Sequence, residues 1–302
     1  MRAPARFDFG WTVKFLTARV VPAMERVSRD EYRRSARVNG ALLTLAVRVD
    51  AAPDGAPLLG VRTAPALPRR EAVALVTRMF DLDADVDAFA ALAAGDALLA
   101  PLVRRNPHLR LPQLIDPFEG AVRAVLGQQV SVQAASTMTD RLVRLIGEEA
   151  PPLDGERLYG FPAPEQVARA GEAALGGIGL TRAKAASVIA IARAVLDGTI
   201  DWDALRAAPW EEAAAALTAV RGIGPWTASY LRMRVLGDRD AFPASDLGVV
   251  KALRALAGIE RPAECAALAE RWRPWRGYAT LHLWESLSAD GAPRPVAAGS
   301  AE

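Results

Sequence analysis

The first part of the chain has residue patterns typical of strands as well as helices. Over residues 41–49 (ALLTLAVRV), apolar and polar positions partly alternate and β-branched residues recur, as in a half-buried strand. Residues 51–57 contain proline and glycine and predict a turn, and residues 58–63 predict a further strand. Because residues 70–80 (REAVALVTRMF) have helical spacing, we expect residues 1–92 to form an α+β domain with an antiparallel sheet.

From about residue 85 onward the pattern predicts helices almost exclusively. One helix start is well marked: Asp116 stands at the cap, Pro117 at the first helical position and Glu119 three residues after the cap. These residues satisfy N–H groups that a first helical turn leaves unpaired. Helical spacing and caps predict helices over residues 117–126, 131–146, 164–174, 181–196, 210–220, 225–236, 247–257, 262–271 and 277–287.

Composition and charge limit the class of protein. Lys and Arg number 37 against 35 Asp and Glu, a formal net charge of +2, so anion binding must come from local basic clusters. The single cysteine, Cys265, excludes a disulfide framework, a CxxC zinc site and a four-cysteine iron–sulfur cluster supplied by this chain. No apolar run approaches the roughly 20 residues of a membrane span, and the start MRAPARFDFGW lacks the apolar core of a secretion signal. We therefore expect a cytoplasmic protein.

A Gly-Ile-Gly pattern occurs at residues 177–179 and again at residues 222–224. The second copy stands directly between two predicted helices, and Pro225 follows where the next helix starts. Free N–H groups at such a helix start suit a phosphate oxygen. The alternative is a helix–helix connection that needs glycine only for its geometry.

Several segments together resemble the helix-hairpin-helix DNA glycosylase superfamily. The hairpin is residues 220–227, and Asp246 follows Gly224 at the superfamily's spacing. The resemblance is closest to the alkylation-repair branch, the 3-methyladenine DNA glycosylase II family, and covers nearly the whole chain. Its other matching segments are FDFGW at residues 7–11 with Phe15-Leu16, FDL at 80–82, VRAVLGQ at 122–128 and ERWRPWRGYA at 270–279.

The resemblance implies a fold and a domain organisation. After the α+β domain, a mostly α-helical, two-lobed glycosylase domain is expected. One lobe comprises residues 93–115 and 239–290 and carries the catalytic aspartate, and the other comprises residues 116–238 and ends in the hairpin. Residues 291–302 are small, polar and proline-containing, and we expect a flexible tail.

The implied function is excision of alkylated bases of the 3-methyladenine type from duplex DNA, by hydrolysis of the N-glycosidic bond of a flipped base. The implied partner is double-stranded DNA, bound by a monomer without membrane association, nucleoid-associated if the source is bacterial. Two other functions stay open: a glycosylase for deaminated bases such as uracil or hypoxanthine, and a non-catalytic hairpin protein that binds DNA through its backbone.

The implied catalytic residue is Asp246. Cleavage of a glycosidic bond develops positive charge on the sugar, which a nearby carboxylate stabilises. An aspartate just before a helix is also an ordinary N-cap, and the two roles are compatible. Relatives that also cleave the backbone carry a lysine two residues after the second hairpin glycine, where this chain has Trp226. The chain therefore resembles a monofunctional glycosylase that uses water as the nucleophile.

The implied base pocket is aromatic. Trp226 and Tyr230 are four residues apart and share a helix face, where they either pack in the core or hold a cationic alkylated base. The resemblance adds Trp284 and Phe15. Leu247 and Glu285 depart from it, because the family has aromatic residues at these positions.

DNA contacts are implied at Gly222, Gly224 and Thr227 of the hairpin. Gln129 stands at the position of the residue that fills the gap left by a flipped base; a helix–helix loop with a solvated amide is the alternative. No cofactor is expected to be required. The resemblance suggests a monovalent cation held by backbone carbonyls of Thr218, Val220 and Ile223. Two arginine-rich clusters could contact phosphates: Arg104, Arg105, His108 and Arg110, and Arg271, Arg273 and Arg276.

Overall fold

The computed structural model describes residues 1–4, 6–51 and 57–288. Along the chain the elements are α1 (Phe9–Thr17), β1 (Glu25–Val27), β2 (Glu31–Val38), β3 (Ala41–Ala51), β4 (Pro57–Ala64), α2 (Arg69–Met79), α3 (Val86–Ala94), α4 (Leu99–Arg105), α5 (Pro117–Leu126), α6 (Val132–Ile146), α7 (Pro164–Gly177), α8 (Arg182–Leu196), α9 (Trp202–Ala207), α10 (Trp210–Thr218), α11 (Pro225–Arg234), α12 (Leu247–Ala257), α13 (Pro262–Ala269), a short 3-10 helix (Glu270–Trp272) and α14 (Arg276–Glu285). The predicted α+β class, with a mainly helical second part, is confirmed.

The four strands form one antiparallel sheet in chain order. Asn39 and Gly40 join β2 to β3 with φ angles of 50° and 79°, the left-handed conformation that a two-residue hairpin turn requires. The sequence patterns predicted β3 and β4 but not α1, β1 or β2. Strand β2 (EYRRSARV) was missed because it is mostly polar, yet most of its residues are buried.

A buried ionic network explains how a polar strand can lie inside the protein. The Arg34 guanidinium on β2 donates to Glu119 Oε2 of α5 at 2.5 Å, and both side chains are buried. Arg123 donates to Glu119 Oε1 at 2.9 Å, and the Tyr32 hydroxyl donates to Glu25 Oε1 at 2.9 Å. Because removing one member of a buried pair leaves a charge unpaired, at a cost of roughly 3–5 kcal/mol, this network fixes α5 against the sheet.

Three hydrophobic cores organise the described residues. The first lies mainly between α5, α6, α8, α10 and α11, the second between α3, α4, α12 and α14, and the third between the sheet and α2. Helix α1 contributes Trp11 and Phe15 to the second core. Tyr230 of α11 packs against both the first core and the second, so its ring lies where the two helical lobes meet.

The chain leaves the amino-terminal α+β domain and enters the carboxy-terminal helical lobe before residue 92. The boundary expected at residue 92 falls inside α3, whose Phe89 ring lies 5.4 Å from the rings of Tyr278 and His282 on α14. Helix α3 therefore packs with the carboxy-terminal lobe rather than with the sheet. From residue 117 onward the predicted helices are confirmed to within a few residues, except that the short helix α9 was not predicted.

Two expected segments fall wholly or mainly outside the described residues: the turn at 51–57, of which residues 52–56 are not described, and the tail at 291–302. Among the helices of the described ranges, none has the length and apolar character needed to cross a bilayer.

The start of α5 generates a test of pH-dependent stability. Asp116 caps this helix by accepting hydrogen bonds from the backbone N–H groups of Phe118 and Glu119 at 2.9 and 3.3 Å. Burial, followed by the charge of Glu119, raises the pKa of Asp116 to about 7. The fold therefore favours the protonated acid, and the contribution of this group to stability is lost as the pH rises through 7.

We expect Asp116→Asn, which keeps the capping oxygen, to remove this loss. Between pH 4 and pH 8 the free energy of unfolding of the native protein should fall relative to that of the variant, by up to about 4 kcal/mol. Urea unfolding at several pH values measures the difference. Asp201→Asn, at the exposed cap of α9, controls for the exchange of cap residue. Equal pH dependence of the native protein and Asp116→Asn would contradict the prediction.

Candidate active site

Asp246 caps α12, as the sequence predicted. Its Oδ1 atom accepts hydrogen bonds from the backbone N–H groups of Gly248 and Val249 at 2.9 and 3.0 Å. The side chain is nevertheless only half-buried, because it stands at the edge of a cleft between the two helical lobes. The capping role and exposure to a ligand are thus combined in one carboxylate.

Two indole rings hold the same carboxylate from other elements. Trp284 of α14 donates its Nε1–H to Asp246 Oδ1 at 2.8 Å, and Trp226 of α11 donates its Nε1–H to Oδ2 at 2.9 Å. Oδ1 accepts three of these hydrogen bonds and Oδ2 accepts one, so Oδ2 keeps more capacity for a ligand. The carboxylate is therefore fixed in orientation by three helices.

Glycine at position 248 is what allows Trp284 to approach so closely. A Cβ atom there would lie 2.8 Å from Trp284 Cδ1 and 3.0 Å from Asp246 Oδ1. Any larger residue would have to displace the indole or the carboxylate. The departure from the family pattern next to it, Leu247, is 77% exposed and lines the cleft.

The aromatic residues predicted for the base pocket mostly lie together. The Trp226 and Tyr230 rings stack with centroids 5.6 Å apart at 28°, and the Tyr230 and Trp284 rings lie 6.4 Å apart at 39°. All three side chains are half-buried and line the cleft, so they pack against the core and present surface to a ligand at the same time.

Phe15 does not line the cleft as expected. Its ring is only 7% exposed and stacks on Trp11 with centroids 5.3 Å apart. The Arg19 guanidinium lies 3.7 Å from the Phe15 ring centroid and lines the cleft itself. Phe15 therefore supports a cationic wall instead of forming an aromatic one, because the arginine four residues later on the chain folds over its ring.

The cleft has a volume of about 830 Å³. The loop that follows α5, the start of α6 and a group of arginines also line the cleft. These further lining residues include Arg19, Arg123, Gln128, Gln129, Val130, Ser136, Thr139 and Arg234. A cleft of this size, with one fixed carboxylate and several aromatic faces, can enclose a planar ring ligand.

Gln129 stands exposed on the rim of the cleft, in the loop where a gap-filling residue was expected. Its φ angle is 58°, in the left-handed region that residues other than glycine rarely adopt. The neighbouring Gln128, to which the sequence assigned no role, donates from Nε2 to the Gly222 carbonyl and to the Thr227 hydroxyl, both at 2.9 Å. This contact ties the loop to the hairpin.

The hairpin residues have different roles. Gly222 has a φ angle of 92°, and a Cβ atom there would overlap Ser187 of α8, so this glycine is required by geometry. A Cβ atom at Gly224 would meet nothing within 4 Å, and Gly224 caps α11 without a side-chain hydrogen bond, so its backbone is open to a ligand. The Thr227 side chain is buried and bonded to Gln128, which leaves only its backbone N–H, in the first turn of α11, to face a phosphate.

The carbonyls expected to bind a cation lie at the hairpin. Thr218 is the last residue of α10, where helical carbonyls lack intrahelical partners, and the Val220 carbonyl accepts a hydrogen bond from the Ile223 N–H at 3.0 Å. Carbonyl oxygens are the kind of ligand that a hard cation prefers. Within the described residues no cluster of three or more His, Cys, Asp or Glu could hold a metal ion.

The second arginine cluster is used for packing. Arg271 pairs with Asp96 at 2.7 Å, and Arg276 pairs with Asp240 at 2.9 Å. Arg273 pairs with Asp240 and Glu270. In the first cluster, Arg110 is buried and donates to backbone carbonyls, whereas Arg104 and Arg105 are exposed.

The polar residues of the cleft wall that the sequence did not predict include Gln128, Arg19 and Arg234. The spacing along the chain could have indicated both arginines. Arg19 lies four residues after Phe15 and Arg234 lies four residues after Tyr230, a separation that brings side chains together on a helix.

Known proteins show the same combination of domains. Residues 1–116 match the family described as the AlkA N-terminal domain, and residues 122–276 match the family described as HhH-GPD superfamily base excision DNA repair protein. The chain is 34% identical over 281 residues to DNA-3-methyladenine glycosylase 2 of Escherichia coli strain K12, covering 92% of this chain and 93% of that protein.

Two further relatives bear on length and fold. The chain is 39% identical over 295 residues to the probable bifunctional transcriptional activator/DNA repair enzyme AlkA of Mycobacterium tuberculosis strain H37Rv, covering 95% of this chain but 57% of that protein. It therefore spans little more than half the length of that relative. The 3-methyladenine DNA glycosylase from Archaeoglobus fulgidus shares the fold, with a TM-score of 0.82, 24% identity and coverage of 95% of this chain and 97% of that one. These matches confirm the resemblance: the chain belongs to the HhH-GPD superfamily of base excision DNA repair proteins and carries an AlkA-type amino-terminal domain.

Proposed function

We propose that this protein is a monofunctional DNA glycosylase that flips an alkylated base out of duplex DNA and hydrolyses its N-glycosidic bond. The observation that carries the proposal is the Asp246 carboxylate, held by the Trp226 and Trp284 indoles at the edge of an aromatic cleft. The E. coli relative, a DNA-3-methyladenine glycosylase, supports the substrate class.

Binding would begin at the hairpin. The first turn of α11 presents N–H groups and the positive end of the helix dipole, and the open backbone at Gly224 lets a phosphate approach. A monovalent cation held by the carbonyls of Thr218, Val220 and Ile223 would supply further positive charge there. No other cofactor is needed for the reaction below.

Flipping would place the base in the cleft and leave a gap in the duplex. Gln129, which is exposed on the cleft rim in a left-handed conformation, would enter that gap. Residues in such strained conformations persist where the surrounding structure holds them, often at functional sites. The faces of Trp226, Tyr230 and Trp284 would contact the extruded ring, and a cationic alkylated base gains a cation–π attraction of roughly 0.5–2 kcal/mol.

The chemical step would cleave the bond between the sugar C1′ and the base nitrogen. The bonding electrons leave with the base, and positive charge develops on the sugar. Asp246 stabilises this charge, and a water molecule then adds to C1′ and loses a proton to the carboxylate. Trp226 and Trp284 donate hydrogen bonds to the carboxylate and hold its orientation.

The reaction would end without cleavage of the DNA backbone. A lyase step needs a lysine amine to form a Schiff base with the sugar. Trp226 occupies the position that carries lysine in backbone-cleaving relatives, and no lysine is among the described residues that line the cleft. Lys184 donates instead to the Leu126 carbonyl at 2.7 Å. The protein would act as a monomer on double-stranded DNA, at the chromosome of its cell.

We expect Asp246→Asn to lower the single-turnover rate of base release from methylated duplex DNA by about 100-fold or more, because the negative charge beside C1′ is lost. Affinity for the duplex should change little, since asparagine still caps α12. The control is Asp201→Asn. Asp201 caps α9 through two backbone N–H contacts of 3.0 Å, as Asp246 does, but lies outside the cleft. Full activity of Asp246→Asn would refute the catalytic role, and absence of base release by the native protein would favour a non-catalytic DNA-binding protein.

Gly224→Asp should weaken duplex binding on the order of tenfold, which corresponds to about 1.4 kcal/mol. The new carboxylate would meet the phosphate at the start of α11, while the fold accommodates it because the φ angle of −87° is ordinary and the space is open. Fluorescence anisotropy with an abasic-site duplex measures the affinity. Ala88→Asp, at an exposed position of α3 outside the cleft, is the charge-matched control. Unchanged affinity of Gly224→Asp would remove the hairpin from the interface.

Borohydride should trap no covalent complex between the native protein and lesion-containing DNA, because no amine is placed to form a Schiff base. Denaturing gel electrophoresis after reduction gives the readout, with a lysine-bearing lyase of the superfamily as the positive control. A trapped complex would overturn the monofunctional assignment while leaving glycosylase activity intact.

A further inference from the structure

The inner end of the cleft holds two arginines that the proposed reaction does not use. Arg19 donates from Nη1 to the Phe15 carbonyl at 3.0 Å, and Arg234 donates from Nε to the Pro112 carbonyl at 2.6 Å. Arg234 is 3% exposed, and its Nη1 atom is buried without a hydrogen-bond partner. Neither guanidinium forms an ion pair with any carboxylate of the described residues.

For Arg234 this arrangement is unfavourable unless a ligand accepts the buried Nη1–H, whereas Arg19 is half-buried at the cleft wall. Burial, followed by repulsion from Arg234, lowers the pKa of Arg19 to about 10, and the attraction of Glu285 is weaker than either effect. Burial likewise lowers the pKa of Arg234. Both groups remain cationic near neutral pH, and both have donors left over. Buried donors without acceptors are rare in folded proteins, and they mark places where an acceptor binds.

The position of Arg234 relative to the catalytic group follows from the helix that carries both. Trp226, Tyr230 and Arg234 are four residues apart in succession, so they lie along one face of α11 over a rise of about 12 Å. Trp226 contacts Asp246 at one end of this row. The Arg234 guanidinium lies at the other end, 5.8 Å from the Tyr230 ring centroid and 5.2 Å from the Phe15 ring centroid, beside Arg19.

A flipped base stacked on Tyr230 would thus have its sugar near Asp246 and its far edge near the two guanidinium groups. In a purine the far edge carries the exocyclic group on C6. Arginine has five donors and no acceptor. Its N–H groups can donate hydrogen bonds to a carbonyl oxygen on C6. An amino group on C6 presents its own N–H donors and gives the arginines no acceptor.

We propose that Arg19 and Arg234 form a subsite that donates hydrogen bonds to the 6-carbonyl oxygen of a purine, so that release of 6-carbonyl purines depends on these arginines and release of 6-amino purines does not. The inference rests on the proposed function and refines its substrate range. Asp246 and the aromatic faces act on any base that enters, while the arginines select by the group on C6. Discrimination of this kind is strong because the disfavoured base leaves buried polar groups unpaired.

Four lesions separate the effect of the carbonyl from the effect of base charge. 7-Methylguanine is cationic with a carbonyl group, 3-methyladenine is cationic with an amino group, hypoxanthine is neutral with a carbonyl group, and 1,N6-ethenoadenine is neutral without one. Single-turnover release of each base is measured for the native protein and for Arg19→Met, which keeps an apolar chain over Phe15 but removes the donors. Arg254→Met is the control, because Arg254 is exposed on α12 and pairs with Glu260 away from the cleft.

We expect Arg19→Met to slow release of 7-methylguanine and hypoxanthine by about tenfold or more, and to change release of the other two lesions less than threefold. Free hypoxanthine should inhibit the native protein more strongly than free adenine, and Arg19→Met should abolish that difference. Arg19→Lys keeps the charge and the chain but not the planar fork, so it should show an intermediate loss. This variant also serves if Arg19→Met unfolds, which circular dichroism monitors.

Equal slowing of all four lesions would assign Arg19 to shaping the cleft and would overturn the subsite. Faster release of the two cationic lesions alone would mean that the arginines act only through charge, which also overturns it. If the native protein releases none of the four bases, the proposed function itself fails, an outcome distinct from either result.

Discussion

The hydrogen bonding of a single carboxylate organises the functional half of this molecule. Asp246 begins α12, Trp226 comes from α11 after the hairpin, and Trp284 comes from the end of α14. Each indole N–H would lack a partner in a partly buried wall without the carboxylate, and the carboxylate would lack its charge-assisted donors without the indoles. The contact therefore joins the two helical lobes at the point where the proposed chemistry takes place.

The other wall of the cleft depends on a buried ion pair far from Asp246. Because Glu119 of α5 pairs with Arg34 of the sheet and with Arg123, α5 is held between the amino-terminal domain and the hairpin lobe. The loop after α5 then carries Gln129 to the rim, and Gln128 fastens that loop to the hairpin. The amino-terminal domain, which contributes Arg19 to the cleft wall, thus supports the site on both sides.

The electrostatic character of the cleft is divided along its length. Near Asp246 the walls are aromatic faces and one carboxylate, which suit a developing positive charge. At the far end the walls are guanidinium groups, which suit an oxygen acceptor. The enzyme we propose would stabilise the sugar at one end and read the base at the other, with Tyr230 between them.

The sequence by itself determined most helix starts and the hairpin, because capping residues and glycine turns act over a few positions of the chain. The catalytic role expected of Asp246 came from the resemblance to the superfamily, and its hydrogen bond to Trp226 was seen only in the structure. The sequence missed β2, because Arg34 in a strand looks solvent-exposed until Glu119, 85 residues away, is seen to neutralise it. It likewise placed Phe15 in the cleft wall, where the structure has Arg19 folded over the ring. Which helices meet at Asp246, and which arginines are left without carboxylates, was decided only by the tertiary structure, since both depend on side chains that come together across long stretches of chain.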